Sequence, residues 1–277
     1  MEPERTRETG NTKKKTRVKV LENDLADLRE LGQKLGAVQR TIFKNRYGNL
    51  LELLEVHVQV HVITALVQYY DHPLRCFTFC DFQLVPTFEE YAQILGMPID
   101  KVIPYQHLDQ HISMSTLAAI MRLPTRDLED SFICEDRKGF SLSFLADYLH
   151  QLGEEKEWEV FMDVFALALF GIMLFPKTEL FVDNAAISVY IAYRTRCESP
   201  VTAILADTYL ALNSCNQKRK TRMTCCLPTL FIWLASHFKK RVFGIKCPVE
   251  SVKQQRLEVK SKDEWSQYMA SLTQEKN

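Results

Sequence analysis

The longest apolar run in the sequence, Val164 to Phe175, spans a dozen residues between Asp163 and Pro176. Crossing a bilayer takes about 20 such residues, so the run predicts a helix buried in a protein interior and not a membrane span. Trp158 and Phe161 extend its apolar pattern backwards at helical spacing, and proline cannot continue a helix beyond residue 175. Residues 158–175 are therefore expected to form the central core helix.

A chain organised around such a helix needs little turn chemistry. Nine glycines and ten prolines in 277 residues are too few for a turn every 8–12 residues, as a strand-rich sandwich or barrel requires. Hydrophobic residues make up 46% of the chain, ample for a conventional core. The expected fold class is mainly α: a single multi-helix globular domain with a short irregular or extended connector at 74–86.

Three segments are predicted. Residues 1–20 lack anchoring apolar groups and read as a disordered basic arm. Residues 21–45 repeat apolar groups at Leu21, Leu25, Leu28, Leu31, Leu35, Val38 and Ile42, an amphipathic helix expected to dock on its own domain. Residues 46–277 form the helical domain proper. Within it a helix is expected over 50–70, apolar on most sides and stopped near Pro73. Another follows Thr87, whose side chain and Glu90 make a capping box, and ends at Gly96. Further helices are expected at 113–122, 141–152, 184–192 behind an Asp183 cap, 201–212, 229–238 and 263–272.

Formal net charge is zero, which removes any global electrostatic case for nucleic acid. The charges are segregated all the same. From Asp207 to Glu250 no acidic residue intervenes, while Lys218, Arg219, Lys220, Arg222, Lys239, Lys240, Arg241 and Lys246 fall there. Lys13, Lys14, Lys15, Arg17 and Lys19 make a second cluster, and the middle of the chain is acidic. Lys218, Arg219, Lys220, Arg222, Lys239, Lys240 and Arg241 are the candidate nucleic-acid-binding residues, with binding that weakens steeply with salt. The competing reading is that they neutralise the acidic middle of the same molecule. The KKKTR string reads either as a nuclear-import address or as a solvated tail.

Eight cysteines with no secretory leader in MEPERTRETGNTKKK read as reduced thiols, in the nucleus or otherwise the cytoplasm. His57 with His61, Cys76 with Cys80, and His107 with His111 have the i, i+4 spacing that places two zinc-competent groups on one helical face. No glutamate separates the first histidine pair in zinc-protease fashion and no CxxC knuckle supports the cysteines, so core packing is the plainer reading and no metal site is expected. Cys225-Cys226 lacks an identifiable base and orienting group. Asp81, Asp183 and Asp207 are the carboxylates to consider for two-metal phosphoryl chemistry, but a helix cap explains Asp183 with fewer assumptions and is open to Asp207 as well. No phosphate loop, Ser-His-Asp motif or pyridoxal lysine context is present. No catalytic residues and no cofactor are expected.

The string DFQLVPTFEEYAQILGMPI at 81–99 is accompanied, in order, by YGNLLELLEV (47–56), YYDHPLRCFTF (69–79), FALALFGIMLFP (165–176), FVDNAAI (181–187), LADTYLAL (205–212), TCCLPTLFIWLASH (224–237) and DEWSQYMASLT (263–273). Together these resemble a plant domain-of-unknown-function family, transposon-associated and related to the aminotransferase-like plant mobile domain. The resemblance implies a transposon-derived, nuclear protein; the word aminotransferase implies no activity. Family members continue beyond a tryptophan-serine-glutamine segment, here Trp265 to Gln267, which implies truncation at the C-terminal end. The functional expectation is a non-enzymatic protein-interaction module with unknown partners and oligomeric state and no membrane association. The alternative is a nucleic-acid-binding module using the 216–241 surface.

Overall fold

Thr87 opens a helix as its local sequence demands. Its hydroxyl accepts from the Glu90 backbone N–H at 3.3 Å and the Glu90 carboxylate accepts from the Thr87 N–H at 2.9 Å, closing the predicted capping box on Phe88–Leu95. Gly96, left-handed at φ +66°, ends it. Ser113 caps Met114–Met121, Ser141 caps Leu142–Glu155 and Asp183 caps Asn184–Arg196 in the same manner.

The computed structural model describes residues 17–21, 23–97, 103–106, 112–134, 137–217, 220–238, 248–254 and 258–273. Over these the chain is mainly helical, and one continuous apolar cluster runs from Leu28 to Leu272. Its axis is the predicted central helix, Trp158–Leu169, in which every residue from Val160 onward is buried. The helices Leu142–Glu155, Met114–Met121 and Ala37–Tyr47 pack around it. None of the described helices is long and apolar enough to cross a membrane.

The central helix continues into a π-helical turn, Phe170–Leu174, a wider coil than the α-helix expected to 175. A Cβ on Gly171 would lie 2.5 Å from the Val182 side chain, so glycine is what lets the strand Phe181–Asp183 lie against this turn. Gly48 acts similarly between helices. At φ +66°, a Cβ there would meet the Leu95 carbonyl at 2.2 Å, and this close approach joins the end of Ala37–Tyr47 to the end of Phe88–Leu95.

Several expectations need correction. The amphipathic 21–45 segment is two helices, Ala26–Gln33 and Ala37–Tyr47, separated at Lys34–Gly36. Leu28, Leu31 and Leu35 dock in the core as expected, whereas Val38 is exposed. The 50–70 helix is also broken. Leu50–Leu54 and Val60–Leu66 are separate, with an irregular stretch between them and a 3-10 turn, Val67–Tyr69, after. β-Branched valines at 56, 58 and 60 lower helix propensity, and the break carries Val56 into the core while leaving His57 exposed. Two helices were not anticipated, Thr125–Phe132 and Pro248–Gln254.

The connector is extended, as expected, and forms a three-stranded antiparallel ribbon from Tyr70–Asp71, Cys76–Thr78 and Gln83–Leu84. A second such sheet joins Ile133–Cys134, Arg137–Ser141 and Phe181–Asp183. Ile103–Pro104 pairs in parallel with Glu198–Ser199. The basic arm does not extend unbroken to residue 20: Arg17–Val20 is a strand, parallel to Lys220–Met223.

Candidate functional site

The strand pairing brings together two basic segments about two hundred positions apart. Arg17 is in register with Lys220, Val18 with Thr221, Lys19 with Arg222 and Val20 with Met223. Side chains alternate along a strand. Met223 is buried, Val18 and Val20 pack on the core, and Lys19 and Arg222 are exposed. Lys19 and Arg222 therefore hold the outward register, and Val18, Val20 and Met223 the inward one. Arg222 is ion-paired with the exposed carboxylate of Glu179, an intramolecular contact with an acid outside the acidic 127–159 stretch. Of the other candidate nucleic-acid-binding residues, Lys220 is placed by its backbone alone, and Lys218, Arg219, Lys239, Lys240 and Arg241 lie outside the described residues.

At the head of this ribbon is a cavity of about 220 Å³. Leu21, whose N–H donates to the Met223 carbonyl at 3.0 Å, forms part of its wall with Val56, Val58, Met173 from the π-helical turn, and Leu227. Two of its polar side chains serve the fold, while Asn23 Oδ1 is buried with no hydrogen-bond partner and His57 also lines the wall. Asn23 Nδ2 donates to the Ile172 carbonyl at 2.9 Å and Arg29 Nε to the Leu54 carbonyl at 3.0 Å. The volume is below the roughly 300–1,000 Å³ of a drug-sized ligand site.

The zinc-competent pairs come apart. His57 lies in the irregular stretch and His61 in a helix, both exposed, so they share no helical face and do not sit in a buried valine-rich helix. Cys76 is buried in a strand and Cys80 is exposed in the turn after it. His107 and His111 lie outside the described residues. Among the described residues no three His, Cys, Asp or Glu side chains are placed to hold a metal.

Cys225 and Cys226 are buried at the entry to Leu227–Phe238. Burial pushes the Cys226 thiol up to about 11 and Cys225 well above the usual thiol range, with Lys177 opposing too weakly to matter. Thiols so shifted are poor nucleophiles at neutral pH.

The three candidate carboxylates have separate employment. Asp81 is exposed in a turn. Asp183 accepts from the Ala186 N–H at 2.8 Å as a helix cap. Asp207 is not a cap: it lies inside Val201–Gln217 and is ion-paired with Lys177 through Oδ1. Burial raises its pKa despite that lysine, and its Oδ2 is buried with no hydrogen-bond partner.

The most elaborate polar cluster was not anticipated. Asp163, buried in the central helix, accepts from Tyr47 Oη at 2.5 Å, Arg46 Nη1 at 3.0 Å and Arg194 Nη2 at 3.1 Å. Tyr190 Oη donates to the Asp163 carbonyl at 2.8 Å. Burial, followed by the Asp163 charge, drives the Tyr47 pKa up, and the hydrogen bond to Asp163 drives that of Arg194 up. Oδ1 thus takes three donors, Tyr47, Arg46 and Arg194 Nε, while Oδ2 accepts from Arg194 Nη2 alone, and the carboxylate lines a cavity of about 360 Å³ with Arg122, Glu159 and Thr195. The available signal was a single acid at the lip of the longest apolar run.

These features define a mainly helical domain with a buried carboxylate cluster at Asp163 and exposed basic side chains, Lys19 and Arg222, on a peripheral ribbon. The chain belongs to the DUF7745 family, a domain of unknown function whose model matches residues 28–276. No curated protein and no solved structure matches it.

Proposed function

We propose that this chain is a non-enzymatic, protein-interaction module, transposon-derived, of plant origin and related to the plant mobile domain, acting in the nucleus. The observation that supports a binding role over a catalytic one is the engagement of Asp163 by Arg46, Tyr47 and Arg194. These contacts join three helices, Ala37–Tyr47, Trp158–Leu169 and Asn184–Arg196, at one carboxylate, a structural role that calls for no substrate. Large apolar side chains on the outside, Leu74, Leu210 and Val259 among them, are available for partner contacts. Affinity capture from plant nuclei with the tagged chain tests the reading. A reproducible, stoichiometric protein partner is expected; capture of none by the folded chain would refute it.

A second reading, nucleic-acid binding through the basic 216–241 surface, is favoured by the register of Lys19 with Arg222. Filter binding at two salt concentrations tests it. Affinity at low salt that falls steeply with added salt is expected, and neutralising Lys218, Arg219, Lys220 and Arg222 should abolish it.

A further inference from the structure

We infer that the N-terminal strand and the strand Lys220–Met223 make one composite polyanion site, in which Lys19 and Arg222 face a nucleic-acid phosphate backbone. The inference rests on the second reading above and gives it a location and a missing half. Sequence alone presents two basic clusters with no relation to each other. The parallel pairing sets Arg17 beside Lys220 and Lys19 beside Arg222, about 4.8 Å apart across the ribbon and roughly 6.6 Å along each strand.

The opposite alternation fixes which residues turn outward. Met223 is buried, and Val18 and Val20 pack on the core, so the ribbon is anchored by these and its basic positions are held in two rows. The exposed pair facing outward, Lys19 and Arg222, is basic on both strands. That composition favours phosphodiester over an acidic protein surface, because a protein interface gains most of its affinity from a desolvated aromatic or apolar centre and these positions supply none. Contacts from Lys19 and Arg222 to phosphate alone carry no sequence information.

One contact holds the site in check. Glu179, itself exposed, is ion-paired with Arg222 and competes with phosphate for that guanidinium. Removing its charge should therefore strengthen binding, an effect that a damaged fold cannot mimic.

The test is a titration of the full chain into fluorescein-labelled random-sequence duplex DNA across a salt series, with polyglutamate as competitor. Lys19→Gln and Arg222→Gln are each expected to weaken binding and to lower the slope of log affinity against log salt by about 1. Glu179→Gln is expected to tighten binding measurably at low salt, and Lys19→Gln to act as strongly as Arg222→Gln although the two lie on distant parts of the chain. DNA binding that is lost on neutralising Lys239, Lys240 and Arg241, but unchanged by Lys19→Gln and Glu179→Gln, would overturn the composite site and leave the second reading intact. No binding at low salt would overturn both. Polyglutamate that competes as well as DNA at equal charge would reassign the ribbon to acidic protein and refute the phosphate proposal.

Discussion

Arg194 grips both oxygens of Asp163, Nε on Oδ1 at 3.3 Å and Nη2 on Oδ2 at 3.1 Å. The pair ties Asn184–Arg196 to the central helix, and Arg46 ties Ala37–Tyr47 to the same carboxylate. Removing the acid would strand the Tyr47 hydroxyl in the core and leave two arginines facing each other. Breaking a fully buried pair costs about 3–5 kcal/mol. Both arginines are partly exposed, so solvent screening reduces this, and Asp163→Ala is expected to cost about 2–3 kcal/mol in urea unfolding. A loss below about 0.5 kcal/mol would mean that the cluster is ornamental.

Glu90 gives stability a pH dependence of definite sign. Burial alone would raise its pKa, but hydrogen bonds from His237, the Thr87 N–H and Trp233 outweigh it and the pKa is lowered. A carboxylate whose folded pKa lies below its unfolded value contributes stability above the unfolded value, about 4.3, and loses it as pH falls through the folded one. The stability difference between wild type and Glu90→Gln should therefore be largest at neutral pH and shrink on acidification below about pH 4. Denaturant unfolding across that range measures it; a difference that grows in acid would reverse the sign.

Asp207 should behave in the opposite sense. Its folded pKa is raised by burial despite Lys177, so its contribution is fully present below the unfolded value and is lost as pH rises through the folded one. Asp207→Asn is accordingly expected to be as stable as wild type or more stable at neutral pH, with the advantage closing in acid. A neutral-pH loss above about 2 kcal/mol would show instead that the pair with Lys177 dominates.

Lys156 closes the helix Leu142–Glu155 in the left-handed region at φ 59°, a conformation natural to glycine. A side chain there costs about 1–2 kcal/mol, offset in part by the greater unfolded-state freedom of glycine. Lys156 is exposed and has no ion-pair partner among the described residues. Lys156→Gly should raise stability by about 0.5–1 kcal/mol, seen as a higher urea midpoint at unchanged slope.

What was legible in the sequence was local. Thr87 with Glu90, Asp183 and the Val164–Phe175 run each carry their meaning within one or two helical turns, and each appears where expected. The break at Glu55–Gln59 was hidden because apolar residues on every side suit a buried helix as well as a folded-back segment whose Val56 reaches the core. Asp163 was visible as a boundary, but Arg46 and Arg194 lie 117 and 31 residues away, so its role exists only in the fold. The ribbon was hidden for the same reason. The alternation in Arg17–Val20 is compatible with a strand, but nothing in either segment names its partner about two hundred residues away.

The proposal stands on the enclosed acids and thiols taking no part in chemistry while the exterior does the binding. It is tested most directly by capture from plant nuclei with wild type and with the double variant Asp207→Asn, Cys225→Ala, both checked for native near-ultraviolet circular dichroism. The account predicts the same partners in the same yield from both. Loss of capture, or of any accompanying turnover, in a natively folded double variant would contradict it.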